Sequence, residues 1–335
     1  MLVDRFGRTA TDLRVSVTDK CDLRCTYCMP AEGLPWLPRE EVLTDDEILR
    51  LVRIGVERLG IREVRLTGGE PLIRPGLPGL IERMAGLTPR PRLSLTTNGV
   101  ALSRLAAPLA AAGLDRVNVS LDTLDPQLFR TLTRRDRHDR VIAGIDAALA
   151  AGLGPVKINT VLMRGVNDHE AVDLLRWSLE RGCELRFIEQ MPLDAQHGWD
   201  REKMVTAEEI LEQLSAEFEL VPEGAEARGT APAETWRVAG YRTGDGLPAR
   251  VGVIASVTRP FCGDCDRVRL TADGQMRTCL FAREESDLRT SLRGGAEDAE
   301  IAERWRIAFL GKKAGAGIGE PDFVQPVRPM SAIGG

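Results

Sequence analysis

Six of the seven cysteines in this 335-residue chain fall into two triplets, Cys21-x3-Cys25-x2-Cys28 and Cys262-x2-Cys265-x13-Cys279. Thiolates at such short spacing bind zinc or iron–sulfur clusters. Structural zinc takes four protein ligands. A cubane cluster also takes four, so three cysteines leave one iron open to a substrate or cofactor. That open position favours iron at the first triplet over zinc and over three unrelated free thiols. At the second triplet a zinc ribbon lacking one ligand remains an alternative, since the cysteines flank a hairpin turn at Asp273-Gly274. No nearby His or fourth Cys completes that site. Cys183 stands apart, at a helix end beside an apolar strand, and reads as a buried small hydrophobe. The three histidines, His138, His169 and His197, are too scattered for a His-rich metal site or a Ser–His triad.

The first twenty residues are charged and polar, and no apolar run nears the roughly 18 residues of a spanning helix. The expectation is a soluble, cytoplasmic protein whose cysteines stay reduced and serve ligation or catalysis. Formal charge is 45 − 50 = −5, which leaves no footprint for nucleic acid or a membrane surface. A hydrophobic fraction of 43% supplies a sizeable core. Only five of the 45 basic residues are lysine (Lys20, Lys157, Lys203, Lys312 and Lys313), a bias that fits base composition better than function.

The elements that position these cysteines alternate over residues 12 to 190. DLRVSVT, EVRLTGG, RLSLTTNG, RVNVSLD, VKINTVLM and ELRFIEQ read as strands, with helical stretches between most of them. Thr44 and Glu47 predict a capping box before a helix that stops at Gly60, Asn167 and Glu170 a similar start, and Ser103 a cap for the Ala-rich helix ending at Gly113. Strands joined by helical crossovers imply a parallel sheet.

These strands alternate where a doubly covered strand would read as continuously apolar. One face carries Arg14, Arg65, Ser94, Thr96, Asn118, Ser120, Asp122, Lys157, Asn159 and Arg186, the other Val15, Val64, Leu93, Val117, Ile158 and Phe187. The predicted fold is α/β, a partial open (β/α)6 TIM-type barrel with a polar lumen. Arg14, Arg65, Lys157 and Arg186 there suit a multiply anionic ligand. After residue 190 a loop, a helix over 206–218 capped by Thr206 and Glu209, and a Gly/Ala/Pro-rich linker at 222–232 follow. WRVAGY, ARVGVIASV and RVRLTADGQMR then read as antiparallel strands, with helices near 286–293 and 297–310.

The residues now support a resemblance. LRVSVTDKCDLRCTYCMP resembles the cluster loop of the radical S-adenosylmethionine superfamily, with Tyr27 before the third cysteine, and RLTGGEP at 65–71 resembles its GGE motif. TTNG at 96–99, VKINTV at 156–161, RFIEQMP at 186–192, FCGDCDRVRLTADGQMRTCLF at 261–281 and the terminal Gly334-Gly335 narrow this. They are similar to the GTP 3′,8-cyclase family, which acts in molybdenum cofactor biosynthesis.

That resemblance implies a radical S-adenosylmethionine barrel over 1–220. It also implies an auxiliary-cluster and substrate region over 221–335, whose hairpins and helices close the barrel mouth and whose Gly-Gly tail inserts into the site. Cys21, Cys25 and Cys28 would hold one [4Fe–4S] cluster and act as the catalytic set, and Cys262, Cys265 and Cys279 would hold a second. Tyr27, Gly69, Ser120 and Met191 match positions that contact S-adenosylmethionine. Arg14, Arg65, Thr96, Lys157, Arg186, Arg267, Val268 and Arg269 match GTP-contacting positions. The implied reaction takes the ribose 3′-hydrogen of GTP with a 5′-deoxyadenosyl radical, joins C3′ to C8, and yields 3′,8-cyclo-7,8-dihydro-GTP.

The implied partners are GTP, an external one-electron donor and the next enzyme, cyclic pyranopterin monophosphate synthase. Neither nucleic acid nor membrane is among them, and a homodimer is one of the states allowed. Two competing readings are a radical S-adenosylmethionine peptide-modifying enzyme and a non-catalytic iron–sulfur carrier or zinc-ribbon module. The first leaves the lumen cations unexplained, and the second leaves the polar face and the GGE loop unexplained.

Overall fold

The βα alternation of the sequence is present in the computed structural model, which describes residues 1–244, 246–320 and 323–334. A short ribbon of β1 (Leu2–Val3) and β2 (Thr9–Ala10) comes first. Then follow β3 (Asp12–Ser16), β4 (Glu63–Thr67), β5 (Arg92–Thr97), β6 (Arg116–Ser120), β7 (Lys157–Val161) and β8 (Glu184–Ile188). Each of these pairs in parallel with the next. Parallel pairing requires a crossover, supplied by α1 (Asp45–Leu59), α2 (Leu77–Ala85), α3 (Leu102–Ala111), α4 (Pro126–Thr133), α5 (His138–Ala150) and α6 (Ala171–Glu180). Further along, α7 (Ala207–Ser215) follows β8.

Alternation along these strands does what the pattern predicts. Val15, Val64, Leu66, Leu93, Leu95, Val117, Val119, Ile158 and Phe187 are fully buried in the core with side chains of the helices. The opposite, polar face is also withdrawn from water: Arg14 is 9% exposed, Arg65 7% and Arg186 5%. A sheet with one solvated face is excluded.

The C-terminal part departs from expectation. After β9 (Leu220–Pro222) and the short α8 (Gly224–Arg228), β10 (Glu234–Arg242) forms an antiparallel hairpin with β11 (Pro248–Ile254). β12 (Arg267–Leu270) pairs antiparallel with β13 (Gln275–Arg277), which pairs with β14 (Ser286–Asp287). Yet β11 also runs parallel to β8, and β12 parallel to β3. The result is one mixed twelve-stranded sheet, ordered β14-β13-β12-β3-β4-β5-β6-β7-β8-β11-β10-β9, with eight parallel strands at its centre. The antiparallel reading of these two strands is therefore half of the truth. A strand offers two edges, and local sequence fixes the hairpin partner but not the partner on the far side. Among the described residues the sheet does not close on itself.

Local caps divide similarly. Thr44 with Glu47, and Thr206 with Glu209, form the reciprocal capping boxes expected. Asn167 and Glu170 do not cap α6. Instead Asn167 donates to the Asp122 and Val161 carbonyls and accepts from Met163 N, and Glu170 accepts from Thr123 and Leu124. These side chains tie together the loops after β6 and β7. Ser103 lies inside α3, whose N-cap is Ala101. The chain ends in α9 (Arg289–Arg293), α10 (Asp298–Leu310) and α11 (Met330–Ile333). Among the described residues no helix is long and apolar enough to cross a membrane.

Candidate active site

The loop after β3 carries the first cysteine triplet, and backbone contacts fix its path. Gly69 N donates to the Thr18 carbonyl at 2.9 Å and Glu70 N to the Lys20 carbonyl at 2.7 Å. A Cβ on Gly68 or Gly69 would lie 2.2 Å from those same two carbonyl oxygens, so only glycine admits this approach. On the other side, Arg24 N and Thr26 N donate to the carbonyls of Thr133 and Leu132 at the end of α4. Arg134 donates to the carbonyls of Arg24 and Met29, at 2.9 and 3.1 Å.

Both triplets face one cavity of about 330 Å³, at the C-terminal ends of the parallel strands. Cys21, Cys25 and Cys28 line it, and so do Cys262, Cys265 and Cys279. Burial pushes the Cys21 thiol up to about 12, Cys28 to about 11 and Cys25 well above its ordinary value. Such thiols keep their protons unless a metal takes the proton's place. The donor set thus fits soft-metal ligation at the first triplet. At the second, Cys265 is pushed down to about 7: burial raises it, but Arg267 and Lys312 outweigh that.

Arginines from four strands, β3, β4, β8 and β12, project onto the same space. Arg14, Arg65, Arg186, Arg267 and Arg269 line the cavity. Burial, reinforced by repulsion from Arg65 and Arg269, holds Arg14 well below the usual guanidinium range. Burial also brings Arg186 to about 9 and Arg269 to about 10. Assembling cations at that cost creates a site for a polyanion. Asp12 sits among them, 3.6 Å from Arg65 and 3.9 Å from Arg14.

The structure brings most of the expected residues together. Tyr27, Gly69, Ser120 and Met191 line the cavity with the cysteines, and Thr96 with the arginines. Two expected contacts lie elsewhere. Lys157, at the N-terminal start of β7, is not on the cavity wall; its ammonium donates to Glu184. The Val268 side chain is fully buried in the core, on the opposite face of β12 from Arg267 and Arg269, so only its backbone is on offer. Cys183 is buried in the core, as read from sequence.

The tail reaches the site. Ile333 is fully buried, Gly334 adopts φ +76°, and Arg269 donates to the Gly334 carbonyl. A Cβ on Gly334 would lie 2.5 Å from Thr67 Cγ2 and 2.6 Å from Ser16 Oγ. The final glycine, Gly335, lies outside the described residues.

Sequence reasoning placed Asp122 on the polar face without a role, and missed two further buried groups, Glu70 and Lys312. Asp122 lines the cavity and accepts from the Tyr27 hydroxyl at 2.6 Å, and burial raises its carboxyl to about 6. Its parity with Ser120 gave the face but not the Tyr27 partner. Glu70 accepts from Leu72 N, Thr97 Oγ1 and Asn98 N, and burial raises it to about 7; it lies within the GGE motif. Lys312 approaches Cys265, and only the scarcity of lysine marked it.

A parallel α/β sheet with a three-cysteine loop and a glycine pair at the C-terminal ends of its first two central strands defines a class. Residues 15–178 match the family model described as the radical SAM superfamily, and residues 183–318 match Molybdenum Cofactor Synthesis C. The GTP 3′,8-cyclase of Streptomyces coelicolor is 67% identical over 335 residues, spanning all of this chain and 96% of that protein. Those of Paenarthrobacter nicotinovorans and Mycolicibacterium smegmatis are each 58% identical, across this whole chain and 97% and 92% of theirs. The chain belongs to this GTP 3′,8-cyclase family of the radical S-adenosylmethionine superfamily. In fold it is similar to Streptococcus suis SuiB bound to S-adenosylmethionine, with a TM-score of 0.59 and 16% identity over 88% of this chain and 67% of that one. SuiB bound to its precursor peptide SuiA gives 0.58 and 14%, over 97% and 76%.

Proposed function

We propose that this chain converts GTP to 3′,8-cyclo-7,8-dihydro-GTP, the first step of molybdenum cofactor biosynthesis. The observation that carries the reading is one cavity lined by both thiol triplets and a bank of buried arginines. Among the described residues Asp12 and Asp266 are the acids paired with these five arginines, so a peptide substrate would leave an excess of buried positive charge.

Membership of the superfamily implies a [4Fe–4S] cluster and S-adenosylmethionine, with Cys21, Cys25 and Cys28 as the holders. When bound, that cluster supplies the electron that cleaves S-adenosylmethionine and so releases the radical that takes the ribose 3′-hydrogen. The protein's work is positioning and exclusion of water. Tyr27, Gly69, Ser120 and Met191 are placed to hold the cosubstrate beside the first triplet. Arg14, Arg65, Thr96, Arg186, Arg267 and Arg269, with the Val268 backbone, are placed to hold the nucleotide. Lys157 supports them from the strand's far end through Glu184.

Cys262, Cys265 and Cys279 would hold a second [4Fe–4S] cluster, whose open iron or edge would take the guanine end of GTP. Among the described residues no three His, Cys, Asp or Glu side chains converge on one point as a mononuclear metal needs. A cubane distributes its thiolates over separate irons and asks for no such convergence. The sheet then reads as a partial open (β/α)6 barrel over 1–220, with 221–335 supplying the second triplet, the closing wall and the inserted tail. In this reading the enzyme is cytoplasmic, draws on an external one-electron donor and hands its product to cyclic pyranopterin monophosphate synthase.

The test is turnover under anaerobic, reducing conditions with GTP and S-adenosylmethionine. Cyclised nucleotide and 5′-deoxyadenosine forming together support the reading. With iron loaded, 5′-deoxyadenosine formation that ignores GTP contradicts it.

A further inference from the structure

Lys312 follows the last turn of α10 and is only 2% exposed. Its ammonium donates to the Arg267 carbonyl at 2.8 Å and the Cys265 carbonyl at 3.0 Å, and meets Cys265 Sγ at 3.4 Å. Three acceptors account for its three hydrogens. The Phe309 ring lies 5.0 Å from the nitrogen. Among the described residues the lysine ion pairs belong to Lys157 and Lys203, and none to Lys312.

A buried ammonium without a carboxylate is costly unless another anion compensates it. Among the described residues the anion-forming group that its ammonium touches is the Cys265 thiol, with the Cys279 thiol acting on it from farther off. The chain is also rich in arginine, yet this position carries lysine. A compact three-donor charge suits two carbonyls and a sulfur converging from one side, where a planar fork does not.

We propose that Lys312 is a positioning residue of the second triplet: it serves as counterion to the Cys265 thiolate and raises the reduction potential of the group held there. The inference rests on the second-cluster reading above. Hydrogen bonds to cluster sulfur and nearby positive charge both favour the reduced, more negative state of an iron–sulfur centre. The contacts to the carbonyls of Cys265 and Arg267 also couple the cysteine loop to β12, which carries Arg267 and Arg269 into the cavity.

The test uses full-length chains reconstituted anaerobically in a Cys21→Ser/Cys25→Ser/Cys28→Ser background, so that only the second triplet can hold iron. Lys312→Met keeps an apolar stem on Phe309, and Lys312→Arg keeps the charge. Iron and sulfide are counted, and the midpoint potential is read by redox titration with electron paramagnetic resonance. The expected result is about four irons in each chain, and a midpoint in Lys312→Met lower by at least a tenfold change in the equilibrium constant, 59 mV for one electron. Lys312→Arg recovers part of that shift. Iron lost from the Met variant alone also supports the charge as what retains the cluster. An unchanged midpoint with iron retained overturns the proposal, and so does iron lost from both variants. Absence of iron from the parent with Lys312 intact overturns the second-cluster reading itself.

Discussion

Gly334→Ala isolates the tail's role better than any truncation, because it adds one methyl where the structure has no room. With φ at +76°, alanine costs about 1 kcal/mol in the left-handed region. Its Cβ would sit 2.5 Å from Thr67 Cγ2 and 2.6 Å from Ser16 Oγ, about 1 Å inside ordinary carbon contact, and overpacking of this kind costs about 1–3 kcal/mol. The alternative is for Gly334 to swing out while Ile333 stays buried, which forfeits the Arg269 hydrogen bond to the Gly334 carbonyl, about 1.5–3 kcal/mol for a charged donor.

The cheaper route costs about 2 kcal/mol, which predicts a fall of about thirtyfold in kcat/KM for cyclisation. The assay is the initial rate of cyclised nucleotide beside the initial rate of 5′-deoxyadenosine, at matched iron content. Cyclisation falls while S-adenosylmethionine cleavage continues uncoupled. Wild-type kcat/KM in the variant refutes the reasoning, as does an equal fall in both rates, which would place the damage at the cosubstrate.

Three further expectations follow from particular groups. Reconstituted protein carries about eight irons per chain, four per triplet; one tightly held zinc at Cys262, Cys265 and Cys279 in a combined metal count rules out the second cluster. Arg186→Ala weakens GTP binding by about 1.5–3 kcal/mol but leaves guanosine nearly unaffected, and Lys157→Ala costs less because Glu184 already engages that ammonium; calorimetry with both ligands checks it, and equal losses for the two ligands contradict it. Glu70 rises from 4.5 to about 7 on burial, so the native state binds more protons than the unfolded state in that window. Its contribution is present below pH 4.5 and is lost as pH rises through 7. Glu70→Gln therefore gains in Tm relative to wild type between pH 5 and pH 8, and a constant difference across that range contradicts the assignment.

Period-two alternation made the cavity legible, since Arg14, Arg65, Thr96, Ser120 and Arg186 share a parity opposite to Val15, Val64, Leu95, Val119 and Phe187. The Thr44/Glu47 and Thr206/Glu209 caps were legible because both partners lie within one turn of a helix. Asn167 and Glu170 show the same signature but spend hydrogen bonds on the loop after β6, more than 40 residues away, and Asn167 also on the turn after β7. The parallel pairing of β11 with β8 and of β12 with β3 is likewise invisible locally, because it depends on which edges the rest of the sheet leaves open. Lys157 carries the same parity and pairs in register with Asn118, and so with Thr96; alternation does not show that its ammonium engages Glu184. Lys312 and Asp122 acquire meaning only through partners 47 and 95 residues away.

The central claim is that one cavity aligns the ribose of GTP with a radical generated at the first triplet. GTP deuterated at the ribose 3′ position tests this most directly, with 5′-deoxyadenosine from a single anaerobic turnover examined by mass spectrometry. The account predicts one deuterium in the 5′-deoxyadenosine, formed together with the cyclised nucleotide. Unlabelled 5′-deoxyadenosine accompanying cyclised product contradicts it, because the hydrogen would then have left from a position other than the one this site presents.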